Sequence, residues 1–262
     1  MSDSLKDLNL VLMLSHDAGE KIADFFSSRE HEKIVAIYFE EASAYSDRLC
    51  EKLGVSRDRA FYGRDVFTDT DHINWLREES VDFLITVYWP WLLGAEYRSV
   101  ARDSVNFHPA FLPVNRGWYP HVHSMIDGSP FGVTLHRMND RADEGEIWVQ
   151  KQVSIPHFAT AKEVYGTLQS EIVELFCNHW DEIALGVIEP TPQDQTRAVH
   201  HSKAEIAALD RVDLDAITGR ELFDRLRARS FGNMGFAYVE AEGTKIFMNL
   251  RLGRERLFPD EG

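Results

Sequence analysis

The chain is 262 residues long, 44% hydrophobic and 27% charged, a composition that excludes a disordered, collagenous or fibrous protein and suits one large domain with a small appendage. Its 28 basic and 43 acidic side chains leave a net charge of −15, which repels polyanions and argues against nucleic acid as a partner. No run approaches the roughly 18 apolar residues of a membrane span, residues 1–6 show no signal pattern, and two cysteines, Cys50 and Cys177, are too few for a disulfide framework, so a cytoplasmic protein with no membrane contact is expected.

Residues 10–14, 34–39 and 81–88 are short continuous apolar runs of the kind that form strands covered on both faces. Between them, residues 19–26, 42–52 and 70–79 carry the helix formers needed for the crossovers of parallel strands. The first half therefore predicts an α/β fold with a Rossmann-like, mostly parallel sheet. Residues 133–138 and 147–153 read as two strands of a long β-arm around the polar loop 139–146. Thr160 followed by Glu163 predicts a capping box, after which Val164, Leu168, Ile172, Leu175, His179 and Ile183 recur at helical spacing up to Gly186. Glu189-Pro190-Thr191-Pro192 cannot continue that helix, which predicts a catalytic domain over 1–190 and a C-terminal subdomain over 191–262. The latter reads as a small α+β module: helices over 203–209 and 218–229, then a β-hairpin over 236–240 and 245–250 around Glu242-Gly243. It holds 11 basic and 12 acidic side chains, leaving −14 of the net charge on residues 1–190. The exposed edges of such a hairpin predict a homodimer formed through it.

No glycine-rich dinucleotide fingerprint, P-loop or HExxH string is present. The densest chemistry lies in Asn106-Phe107-His108-Pro109-Ala110-Phe111-Leu112-Pro113. Residues two apart on a strand face the same side, so Asn106 and His108 aim an amide and an imidazole at one point near a strand's carboxyl end, where parallel sheets place ligands. Asp143 follows in the turn Asn139-Asp140-Arg141-Ala142-Asp143-Glu144-Gly145.

Together, Asn106-x-His108, the Leu112-Pro113 turn, Arg116-Gly117-x-x-Pro120, Gly132-Val133-Thr134 and Asp143-x-Gly145 resemble the signature of the 10-formyltetrahydrofolate-dependent formyltransferases. The resemblance implies the formyltransferase fold and an enzyme that moves a formyl group from 10-formyltetrahydrofolate to an amine. It assigns the catalytic trio to Asn106, His108 and Asp143. It also implies folate contacts at Trp89, Pro90, Trp91 and Leu92 and at Asn139, Asp140 and Ala142, chiefly through backbone atoms. A preorganised amide aimed at the formyl oxygen stabilises the charge that builds there, by about 3 kcal/mol in comparable sites. An imidazole oriented by a carboxylate can relay the proton lost by the attacking nitrogen.

Family members differ in acceptor: methionyl-tRNA, glycinamide ribonucleotide or the amino sugar of a nucleotide-linked sugar. The tail of 72 residues without net positive charge speaks against tRNA. The string from His108 to His121, with His201-Ser202-Lys203 and Leu226-Arg227-Ala228-Arg229-Ser230-Phe231 in the tail, is most similar to the sugar N-formyltransferases. That similarity implies a 4-amino-4,6-dideoxy sugar carried on a nucleotide such as dTDP, in the biosynthesis of a surface polysaccharide such as lipopolysaccharide O-antigen. Expected substrate contacts are Asn115, Arg116, Tyr119, Lys203, Arg227 and Arg229. The arginine run 220–229 suits a diphosphate, and equally an exposed helix face pairing with Glu221 and Asp224. Arg116 equally suits an anchor for its loop. Where the subgroup often has prolines, Gly232-Asn233-Met234-Gly235 stands here. His121 and His123, like His200 and His201, read as surface residues without a third ligand, so no metal is expected. Two other readings stay open: a formyltransferase acting on another amine or on water, and a folate-binding module without turnover.

Overall fold

The computed structural model describes residues 7–253; residues 1–6, read above for a signal pattern, and the outer ends of both expected domains lie outside the described residues. The chain runs β1 (Leu8–Leu14), α1 (His16–Ser27), β2 (Glu32–Phe39), α2 (Ala44–Leu53), β3 (Ala60–Tyr62), α3 (Thr70–Glu78), β4 (Val81–Val87), α4 (Ala95–Arg98) and β5 (Ala101–His108). It continues through the short β6 (Arg116–Gly117), α5 (Pro120–Asp127), β7 (Gly132–His136), β8 (Ile147–Gln152) and α6 (Ala161–Ala184). Seven strands form one sheet in the order β3-β2-β1-β4-β5-β7-β8, parallel as far as β5 and antiparallel beyond it.

Strand alternation explains the continuous apolar runs. On β1, Leu10, Leu12 and Leu14 pack with Ile22 and Phe26 of α1 and Ile172, Phe176 and Trp180 of α6. Val11 and Met13 face the opposite side, with Ile73 and Leu76 of α3 and Tyr97 of α4. Both sheet faces are thus buried, and truncating a core aromatic such as Trp180 costs about 3–5 kcal/mol. Helix α6 starts where its capping box predicts, the Thr160 amide donating to Glu163 Oε2 at 2.8 Å.

The expected β-arm does not project. Strand β7 pairs with β5, and Val133, Leu135 and Trp148 are buried in the core beneath α6, so β7 and β8 complete the main sheet. After α6 come β9 (His200–His201), α7 (Lys203–Asp210), α8 (Gly219–Ala228), the small pair β10 (Ser230–Phe231) and β11 (Met234–Gly235), and the hairpin β12 (Tyr238–Ala241) and β13 (Thr244–Phe247). The hairpin is shorter than predicted: the Met248 amide still donates across it to Ala237 O, one step beyond the Tyr238–Phe247 pair, but the Phe236 amide turns away to Arg229 O. Strand β9 does not stay with this module but pairs in parallel with β6. Among the described residues no helix is long and apolar enough to cross a membrane.

Candidate active site

Strand order reverses at β1, which lies between β2 and β4, and ligands of such sheets sit outside the carboxyl ends of the strands at that reversal. A cavity of about 510 Å³ opens there, lined by residues following β1, β4 and β5 and by the loop after β7. His16, Tyr88, Tyr119 and Asp143 all line it with φ between 52° and 59°. Side chains rarely occupy this left-handed region, and backbone strain of this kind gathers at functional sites.

The three expected catalytic residues converge on this cavity. Asp143 Oδ1 lies 3.3 Å from His108 Nδ1 and 3.5 Å from His136 Nε2, while its Oδ2 accepts the Gly117 amide at 2.8 Å. Burial opposes its ionisation, yet His108 and the Gly117 N–H favour the carboxylate and hold the Asp143 carboxyl well below the usual carboxylate range. Burial pushes the His108 imidazole down from its ordinary value, against the pull of Asp143, so the resting ring is neutral. Its Nε2 lies 3.0 Å from the Asn115 carbonyl oxygen. Both ring nitrogens therefore face acceptors, and a neutral ring satisfies only one of them. An added proton finds its partner already in place.

Two residues absent from the sequence reading fix the amide of Asn106. Thr86 on β4 and His136 on β7 are its register partners on either side. Thr86 Oγ1 donates to Asn106 Oδ1 at 2.6 Å, and Asn106 Nδ2 lies 2.9 Å from His136 Nε2. His136 Nδ1 faces the Arg137 carbonyl at 2.7 Å, where only an N–H suits, which leaves Nε2 to accept from Asn106. One Asn106 N–H remains for the cavity. The signal for Thr86 was a hydroxyl inside an apolar run; its use depends on strand register. Gln193 was also missed: its Nε2 donates to the carbonyls of Asp143 and Gly145 at 2.8 and 2.6 Å, clamping the acidic loop. Gly145 is required there, since a Cβ would lie 1.7 Å from Arg137 O.

Trp89, Pro90, Trp91, Leu92, Asn139 and Ala142 line the cavity, whereas Asp140 turns outward to pair with Arg98. Tyr119 also lines it, and Lys203 sits 4.9 Å over the ring of its neighbour Trp118. The other expected substrate contacts serve the fold. Asn115 is 1% exposed, its Nδ2 donating to Ser124 and Ser129 hydroxyls at 2.8 Å and its Oδ1 accepting from His201 Nε2 at 2.9 Å. Buried Arg116 holds Gln193 and Gln195 and pairs with Glu144. Arg227 donates to Met125 O at the end of α5 and to Ala159 O, and Arg229 pairs with Asp210. Packing of α8 on α5 directs these guanidinium groups inward, so neither a diphosphate site nor an exposed face describes Arg227 and Arg229.

The same packing buries His121 and His123, each 7% exposed, in place of the expected surface position. His123 stacks on His201, ring centroids 3.4 Å apart, and with Glu205 their ligand atoms lie within 4.8 Å. Parallel rings point their nitrogens side by side, and both nitrogens of His201 already face Asn115 and Glu205.

Residues 11–178 match the family profile described as Formyl transferase, and residues 205–254 match the N-formyltransferase dimerization C-terminal domain. A dTDP-4-amino-4,6-dideoxyglucose formyltransferase of Mycobacterium tuberculosis is 35% identical over 154 residues, 58% of this chain and 65% of the relative's own length. A 4-N formyltransferase from Francisella tularensis superposes with a TM-score of 0.79 at 24% identity, covering 95% of this chain and 99% of the other. An N-formyltransferase from Helicobacter canadensis, in complex with folinic acid and dTDP-3-aminofucose, gives 0.71 at 15% identity, covering 91% and 86%. Matched over more than half its length by the first of these profiles, the chain belongs to the formyl transferase family.

Proposed function

We propose that the protein is an N-formyltransferase that moves a formyl group from 10-formyltetrahydrofolate to the amino group of a dTDP-linked 4-amino-4,6-dideoxyhexose. The observation that carries this reading is the convergence of Asn106, His108 and Asp143 at the mouth of an apolar slot. The slot fits a folate: Trp89 and Trp91 stand edge to face at 5.1 Å, and Trp89 Nε1 and Arg98 Nη1 are buried donors without partners among the described residues, suited to the acceptors of a flat heterocycle. When bound, 10-formyltetrahydrofolate supplies the activated formyl carbon. The free N–H of Asn106 donates to the formyl oxygen and stabilises the charge that builds there. As the amine nitrogen bonds to the formyl carbon and the bond from that carbon to N10 of the folate breaks, the amine proton passes to the His108–Asp143 pair, where the carboxylate beside Nδ1 stabilises the imidazolium, and from there to N10 of the departing tetrahydrofolate. The choice of acceptor is supported by the 35% identity to the mycobacterial enzyme.

Within this reading, residues 1–190 form the catalytic domain and 191–262 the subdomain through which two copies associate. The hairpin β12–β13 presents Ile246 and Phe247, 50% and 61% exposed, to a second copy; light scattering would give a dimer mass for the parent and a monomer mass for Phe247→Asp. The acceptor is tested by incubating purified protein with 10-formyltetrahydrofolate and the amino-sugar nucleotide, formation of the formamide being followed by mass spectrometry. Formylation of glycinamide ribonucleotide or methionyl-tRNA instead, or consumption of the folate with no amine present, would refute it.

A further inference from the structure

The cavity has a second polar wall that the chemistry above does not use. Tyr88 follows β4 at the turn with φ 54°, His121 lies in the first turn of α5, and Tyr165 projects from α6; all three line the cavity. Their rings form a chain, with centroids 5.8 Å apart for Tyr88 and Tyr165 and 5.3 Å for His121 and Tyr165. His121 is more than nine-tenths buried, and its Nδ1 and the Tyr88 hydroxyl have no hydrogen-bond partner among the described residues. Buried polar atoms are rarely left so, and two at one wall mark a place that a ligand completes.

The sheet separates this wall from the folate slot. Trp89 and Trp91 pack with the core on the α3–α4 face, whereas Tyr88 and Tyr165 lie on the α1–α6 face. Asn106 and His108 stand where the two halves of the cavity meet. A folate entering from one side therefore leaves the other side for the acceptor. Burial, with Arg229 and His123 nearby, pushes the His121 imidazole down to about 4; burial also pushes the Tyr165 phenol up to about 12, with Asp17 adding to the shift, and the Tyr88 phenol well above its ordinary value. At neutral pH the wall thus consists of uncharged groups that both donate and accept. Such a surface disfavours phosphate, carboxylate and ammonium and suits a neutral hydroxyl.

We propose that Tyr88, His121 and Tyr165 form a specificity subsite that binds a ring hydroxyl of the acceptor sugar, across the catalytic centre from the folate slot. This assignment rests on the reading of the protein as a sugar N-formyltransferase. It is tested by steady-state kinetics of the full chain with 10-formyltetrahydrofolate and two acceptors, the amino-sugar nucleotide and its analogue lacking one ring hydroxyl. Activity of the parent on the first acceptor is checked beforehand; its absence refutes the underlying reading and the subsite with it. Given that activity, His121→Phe and Tyr88→Phe are expected to raise the KM of the amino-sugar nucleotide about tenfold, with kcat within about twofold and the KM of the folate unchanged. His121→Asn, which keeps a donor and an acceptor, is expected to restore most of the affinity, and its melting curve separates a binding defect from misfolding. The parent should prefer the hydroxylated acceptor by about tenfold over one of the deoxy analogues, and His121→Phe should lose that preference. An unchanged acceptor KM in both phenylalanine variants, or a defect confined to the folate KM, would overturn the subsite.

Discussion

The two walls of the cavity are built on opposite principles. Around Asn106 and Asp143, each polar group is tied to a neighbour: Thr86 to Asn106, Asn106 to His136, Gly117 to Asp143, Asn115 to His108. Around Tyr88 and His121, and again at Trp89 and Arg98, buried polar atoms have no hydrogen-bond partner among the described residues. The difference separates two tasks. Groups that must meet charge developing during a reaction are fixed beforehand, because reorientation at that moment would consume the stabilisation they offer. Groups that recognise a ligand stay unsatisfied until it arrives, and the fold carries the cost.

The comparison breaks most visibly at His108. Replacing it by alanine should lower kcat by about 10²–10⁴-fold while calorimetry finds folate binding intact; equal rates would leave a folate-binding module without turnover. On the open wall the effect is one of stability. Since burial holds His121 at about 4 in the folded protein against about 6.5 unfolded, the unfolded chain takes up a proton first as the medium acidifies. Its contribution is complete above pH 6.5 and is lost progressively toward pH 4, by up to about 3 kcal/mol. Denaturant titrations across that window should show the slope, and His121→Asn should reduce it, the remainder coming from His123, which burial also pushes down to about 4. Asp143→Asn sharpens the catalytic side: kcat should fall about 10²-fold. Loss of the anion that favours the His108 imidazolium should move the acid limb of kcat/KM, already below the ordinary histidine value, to still lower pH. The smallest effect belongs to Thr86→Val, which frees the Asn106 amide at nearly constant volume. A roughly tenfold loss in kcat at unchanged KM is expected, with Thr86→Ser restoring activity.

Asn106 and His108 were legible because their relation is local, two positions along one extended segment, and the family-like string around Asp143 supplied the third member. Thr86 and His136 were not, although they flank Asn106 directly, because cross-strand neighbours are set by register between segments 20 and 30 residues away. The continuous apolar runs, with helix formers between them, predicted the parallel half of the sheet. They did not place β7 and β8, whose polar connecting loop suggested a projection although both strands pair within the sheet. Arg227 and Arg229 misled for a related reason. A cluster of like charges in sequence says nothing of whether a carbonyl at the end of another helix, here that of Met125, receives one of them.

The pairing of β6 with β9 has a consequence for the growing chain. The carbonyl that orients His108 belongs to Asn115, whose side chain is held by His201 and whose neighbour Arg116 is hydrogen-bonded through its amide to Val199. Nascent polypeptides fold from the amino end, so the cavity takes shape while the imidazole beside it still lacks its brace. That brace waits for the segment 199–201, which follows α6 and pairs back onto the loop at Arg116 and Gly117. A chain cut short before His201 would keep the cavity and lose the contact that holds Asn115 beside the His108 imidazole.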